Sequence, residues 1–113
     1  NMEGFIRFFL QCVIEQCNNY IAKINRIKQI YTRDMKKLEV LRSNAVYRIM
    51  PAMMRQIVFT KKEIEEESGV TRNTVSNLID KLVEINILVP DSNYAKLGYR
   101  YNEIYNVFVG KDI

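Results

Sequence analysis

Residues 58–89, VFTKKEIEEESGVTRNTVSNLIDKLVEINILV, decide the fold. Thr60 stands where a helix N-cap belongs, and Glu63 follows three residues later. That spacing is a capping box, in which each side chain satisfies a backbone N–H of the other residue. Phe59 and Ile64 flank it at the positions of a hydrophobic staple. Ser68-Gly69 stops this helix, the glycine being free to take the left-handed conformation of a C-cap. Val70-Thr71 restarts the chain, with Thr71 expected as a second N-cap and Val70 with Val75 as a second staple. Two helices joined by three or four residues that include a glycine form a helix-turn-helix pattern.

The second of these helices has two faces. Val75, Leu78, Ile79, Leu82 and Ile85 share one at helical spacing and are expected in the core. The other carries Asn73, Ser76, Asn77, Asp80 and Glu84, with Arg72 on its flank. Asn and Arg can read adenine and guanine edges in a major groove, and Ser can bind a base or a phosphate. Thr71, Arg72, Asn73, Ser76 and Asn77 are therefore the candidate nucleic-acid-binding residues of this helix. Asp80 and Glu84 would repel phosphates, and the preceding helix adds Glu63, Glu65, Glu66 and Glu67 against Lys61 and Lys62. Those carboxylates are expected as a solvated helix face. The alternative use of the same scaffold is protein contact without nucleic acid.

Towards the C-terminus, Ile87-Leu88-Val89 reads as a strand and Pro90-Asp91-Ser92-Asn93 as a turn cluster. Tyr99-Arg100-Tyr101 is the returning strand, with Tyr94 to Gly98 at the tip and a short closing helix over Glu103 to Val109. A hairpin directly after the second helix makes the unit winged. Lys96 and Arg100 stand among Tyr94, Tyr99 and Tyr101, a mixture that can grip a backbone or a minor groove. The same residues also suit a tyrosine-rich hairpin that packs on the core.

Towards the N-terminus, Ser43-Asn44 is expected to cap a helix AVYRIMPAMMRQ, which Pro51 should kink or divide. Residues 3 to about 42 read as one long helix. Ile6, Leu10, Val13, Cys17, Tyr20, Ile24, Ile27 and Tyr31 recur at alternating spacings of 4 and 3, an interaction stripe for a partner surface. Phe5, Phe8, Phe9, Ile14, Ile21 and Ile30 widen it. About forty helical residues would span roughly 60 Å, more than a small domain is wide. The stripe must then meet self-pairing, a partner chain or a further domain. Thr32 to Asp34 is the expected weak point, because Asp34 falls where the stripe calls for an apolar residue. The basic run Lys23, Arg26, Lys28, Arg33, Lys36, Lys37 and Arg42 is either an electrostatic footprint or the wet face of this helix.

The 113 residues suffice for one domain, or one small domain with an appendage, and 48% apolar content suffices for a core. Net charge is +4, but residues 1–57 hold ten basic and four acidic residues, a net +6, while residues 58–113 hold seven and nine, a net −2. Cys12 and Cys17, five apart on a helix, lie about 140° apart around its axis and are expected as reduced core thiols. There is no histidine, no glycine-rich phosphate loop and no Cys/His metal cluster, so no catalytic or metal-binding residue is assigned in this chain. Without a long apolar run or a signal-peptide pattern, a cytoplasmic protein with no membrane association is expected.

The run FIRFFLQCVIEQCNNYIAKINRI resembles the end of a Fic-family protein, whose closing helix has the form FFL-x-x-V-x-x-Q. In many such proteins, including bacterial ones, a winged helix follows, similar to TKKEIEEESGVTRNTVSNLIDKLVEINIL with a close like YRYNEIYNVF. The resemblance implies a C-terminal region of a protein adenylyltransferase, which moves AMP from ATP to a hydroxyl of a target protein. The histidine-bearing motif of that chemistry, roughly HPFxxGNGR, does not occur in this sequence. Catalysis, ATP and a divalent cation are thereby implied only for a parent chain. The expected architecture is mainly α: a long helix over 1–42, packing on an upstream Fic domain or self-associating, then a winged helix-turn-helix domain over 43–113 with three helices and a small β-hairpin wing. The expected function is regulation or targeting of a Fic-type enzyme through duplex DNA or a protein. A dimerisation module without nucleic-acid binding and a stand-alone transcriptional regulator are the alternatives.

Overall fold

The computed structural model describes residues 1–110. Helix α1 runs over Met2–Leu38, followed by a 3-10 turn at Glu39–Leu41. Next come α2 (Val46–Gln56), β1 (Val58–Thr60), α3 (Lys61–Ser68), α4 (Arg72–Glu84), β2 (Leu88–Pro90), β3 (Gly98–Tyr101) and α5 (Asn102–Phe108). The protein is mainly helical with one small antiparallel sheet of order β1-β3-β2. Val58, Phe59 and Thr60 pair with Arg100, Tyr99 and Gly98, and Leu88, Val89 and Pro90 pair with Tyr101, Arg100 and Tyr99.

The caps of the central segment form as their chemistry requires. Glu63 N donates to Thr60 Oγ1 at 3.2 Å, and Thr60 N donates to Glu63 Oε1 at 3.0 Å. The staple residues Phe59 and Ile64 are fully buried. Gly69 ends α3 at φ 70°, a conformation that costs an L side chain energy. Thr71 occupies the N-cap position of α4, but its hydroxyl donates to Thr74 Oγ1 at 3.0 Å instead of accepting from the backbone. Ser43 and Asn44 do not cap α2 with their side chains. Ala45 holds that position, while the Ser43 and Asn44 carbonyls accept from Val46 N and Tyr47 N.

Pro51 neither ends nor divides α2, which continues for five residues beyond it. Proline removes one N–H, here the donor that would have met the carbonyl of the exposed Tyr47. Helix α2 ends instead at Ile57, a β-branched residue at φ 65°. That conformation is strained, and two backbone bonds hold it: Ile57 N to Met53 O at 2.7 Å, and Tyr101 N to Ile57 O at 2.8 Å. Ile85, expected in the core, is exposed because α4 ends at Glu84 and the chain turns there.

The core gathers Ile49, Met50, Ala52 and Met53 of α2, Ile64 of α3, Val75, Leu78, Ile79 and Leu82 of α4, and Phe59, Leu88 and Tyr101 of the sheet. Ile104 and Val107 of α5 close it, together with Ile27, Ile30 and Leu38 of α1. The end of α1 is thus part of this body, and a boundary at residue 42 does not separate the core. Nor is α1 interrupted at Thr32 to Asp34. Asp34 is 1% exposed and accepts from the buried Tyr101 hydroxyl at 2.5 Å. Its other oxygen takes Arg33 Nε and Nη2 at 3.2 and 3.1 Å, and Arg33 Nη2 also reaches Glu103 at 2.6 Å. A buried carboxylate is tolerable only when so provided with donors. The hydrogen bond to Glu103, ahead of the Asp34 charge, holds the Arg33 guanidinium firmly protonated.

From Met2 to Ala22 every residue of α1 is exposed. The molecule measures 64 × 30 × 26 Å, with a radius of gyration of 18.0 Å. A compact chain of this length would have a radius of gyration of about 13 Å. The excess is the projecting arm of α1, at whose start Asn1 Oδ1 accepts from Glu3 N at 3.1 Å. Cys12 and Cys17 are free but exposed on this arm rather than in a core, because nothing packs on it among the described residues. The stripe is divided accordingly: Ile6, Leu10, Val13, Cys17, Tyr20 and Ile24 are exposed, whereas Ile27 is buried and Tyr31 half-buried against the chain's own body.

Candidate functional site

The outward side of α4 presents Arg72, Asn73 and Asn77, all exposed. None of the three makes a hydrogen bond or ion pair among the described residues. Asn73 and Asn77 turn away from Val75, Leu78, Ile79 and Leu82, whereas Arg72, seven residues before Ile79, stands on the flank at the first turn and borders the cleft with Ser76. Thr71 precedes them, exposed and turned to Thr74.

Ser76 belongs to a different neighbourhood. It is half-buried and accepts from Lys61 Nζ at 3.0 Å. Lys61 Nζ also meets Asp80 Oδ1 at 2.8 Å and lies 5.9 Å from the centre of the Tyr99 ring. One lysine at the start of α3 thereby clamps α4 to β3. Thr60, Lys61, Lys62, Glu65, Arg72, Ser76, Leu97 and Tyr99 line the cleft between α3, α4 and the hairpin.

This arrangement alters the weight of the acidic residues. Asp80 is paired with Lys61, and Glu84 lies 3.8 Å from Lys81. Glu63 serves the capping box and accepts from the Tyr94 hydroxyl at 2.7 Å. That hydrogen bond, with some desolvation, raises the Tyr94 phenol above its usual range. Glu67 accepts from Gln56 and Arg55, which lower its carboxyl in that order of importance. The run 63–67 is therefore not a uniformly solvated face. Its first and last carboxylates tie α3 to the hairpin and to α2.

The hairpin splits its two candidate residues. Lys96 is exposed at the tip, in no hydrogen bond or ion pair among the described residues. Arg100 alternates with Tyr99 and Tyr101 along β3 and so faces the opposite side of the sheet. There it stacks 4.9 Å from the Tyr105 ring, donates to Asn102 Oδ1 at 3.1 Å and approaches Asp91 at 3.9 Å. It does not join the α4 residues. Gly98 closes the hairpin, since a Cβ there would stand 2.6 Å from the Asp91 carbonyl oxygen. Among the described residues no group of His, Cys, Asp and Glu could hold a metal ion, and no helix is long and apolar enough to cross a membrane.

The sequence reading missed Lys61, Lys62 and Tyr99 as cleft residues. Lys61 and Asp80 are nineteen positions apart, so no local spacing could have paired them. Compared with family models, with curated proteins and with solved structures, the chain matches none.

Proposed function

We propose that this chain is a winged helix-turn-helix module that lays α4 in the major groove of duplex DNA and serves as the regulatory or targeting unit of a Fic-type adenylyltransferase. The order α2-β1-α3-α4-β2-β3 with sheet order β1-β3-β2 supports the winged reading. The single observation that carries the DNA reading is that the exposed side chains of Arg72, Asn73 and Asn77 on α4 are unengaged among the described residues. Lys62 in the cleft and Lys96 on the hairpin add positive charge for phosphates. The link to a Fic enzyme rests on the resemblance of residues 5–27 and of the YRYNEIYNVF close, and it leaves catalysis, ATP and a divalent cation to the parent chain.

A second reading has its own observation. Leu97 is 74% exposed at the mouth of the cleft beside Tyr99 and Glu65, a set that suits a protein segment better than a phosphate backbone. Fluorescence anisotropy with labelled duplexes separates the two. DNA binding should weaken steeply as salt rises. The triple change Arg72→Ala, Asn73→Ala, Asn77→Ala should remove sequence preference, each good base contact contributing about 1–3 kcal/mol of discrimination. Preference that survives the triple change overturns the assignment of readers. No binding even at low salt favours the protein-contact reading.

A further inference from the structure

The arm of α1 is the largest feature that the proposed function does not use. Ile6, Leu10, Val13, Cys17, Tyr20 and Ile24 are all exposed and keep the alternating spacing of a two-helix seam. Phe9 borders the seam on one edge, and Ile14 and Ile21 border it on the other. Covering these side chains would remove roughly 700 Å² of apolar surface per chain. A standard protein interface buries about 800 Å² per partner. Between Glu3 and Lys23 only Arg7 and Glu15 are charged. Glu15 lies two residues from seam positions on either side, about 200° round the helix, and so faces away.

The chain's own body decides the orientation of a partner. Ile27, Tyr31 and Asp34 continue the same repeat, and the body covers them. A parallel second copy would have to run along that occupied stretch and bring two bodies to one level. An antiparallel copy needs only the free half. We infer that this half of α1 is a homodimer surface on which a second copy of the chain packs antiparallel.

The two-fold axis passes near residue 15. Leu10 then faces Tyr20 of the copy, Val13 faces Cys17, and Ile6 faces Ile24. At the edges Ile14 meets its own counterpart, Arg7 lies by Ile21, and Phe9 covers the stem of Lys23, so no like charges meet. The interface is isologous and closed, as a two-fold dimer requires. It holds whether or not α4 binds DNA, and it is exclusive with packing of the same stripe on an upstream Fic domain, so of the two covers that the resemblance leaves open it takes self-association.

Sedimentation velocity of the 113-residue chain under reducing conditions tests the association. A dimer is expected, converted to a monomer by Leu10→Glu with the helical circular dichroism and thermal transition of the body retained. A wild-type monomer at high concentration overturns the proposal, as does a dimer indifferent to Leu10→Glu. Mild oxidation tests the orientation, because a disulfide needs Cα atoms within about 7 Å. Cys12→Ser with Val13→Cys should give a covalent dimer through Cys17, and Cys12→Ser alone should not. Cross-linking of the Cys12→Ser chain through Cys17 shows a parallel pair and overturns the inference. A dimer in which neither variant cross-links overturns the register.

Discussion

The two halves of α1 share one helix and one apolar repeat, and they have opposite fates. Ile27, Ile30, Asp34 and Leu38 are buried, while Ile6, Leu10, Val13, Cys17, Tyr20 and Ile24 are exposed. Composition does not separate them, since the exposed half is the more apolar. What separates them is the presence of α2 and α5 beside the second half. A hydrophobic period reports that a face wants cover; the rest of the chain decides whether the cover is internal.

The largest test of this contrast pairs a body residue with an arm residue. Ile79→Ala should lower the stability of the cooperative unfolding transition by about 2–5 kcal/mol, since Ile79 is fully buried. Ile14→Ala, read in the same urea titration at low protein concentration, should stay within about 0.5 kcal/mol. A matching loss in both would show that the arm is not independent of the body.

The junction comes next. Tyr101→Phe takes from Asp34 a buried donor and should cost about 1–3 kcal/mol. Burial first, and the Asp34 hydrogen bond second, raise the Tyr101 phenol above its ordinary value. The fold therefore favours the neutral phenol. Its contribution is complete below the unfolded value of about 10 and declines as pH rises above it. The wild-type chain should lose stability above about pH 10, and Tyr101→Phe should flatten that alkaline limb in pH-dependent unfolding. Tyr31 and Tyr94, also raised, leave a smaller residual slope.

The smallest effect compares two caps. Thr60→Ala breaks the capping box of α3 and should cost about 1 kcal/mol in the global transition. Asn1→Ala removes the cap of α1 and should leave that transition unmoved, because it loosens only the arm. Amide hydrogen exchange would show the fraying at the first turn.

Much of the fold was legible from local chemistry. Thr60 and Glu63, Phe59 and Ile64, and Gly69 each specify a feature within a few residues, and each forms as expected. The strands and closing helix fall within one or two residues of their expected places. The misreadings have long-range causes. Asp34 was expected to weaken α1, yet Tyr101, sixty-seven residues away, makes it an anchor. Arg100 is expected on the wing beside Lys96 to grip a nucleic-acid backbone or minor groove, and strand alternation turns it to Tyr105 instead. Asp80 is expected as a charge that repels phosphates, and Lys61, nineteen residues away, pairs with it while it stays exposed.

The Asp34–Tyr101 bond also fixes an angle. Helix α1 cannot turn about its axis without pulling a buried carboxylate from its donors. The arm is therefore keyed to the body like a crank to its shaft. Inserting or deleting one residue between Tyr20 and Ile27 would swing the far stripe by about 100° around the axis and leave the body untouched. The length of that seven-residue interval, more than its composition, sets the direction in which α4 looks out from whatever grips the far end.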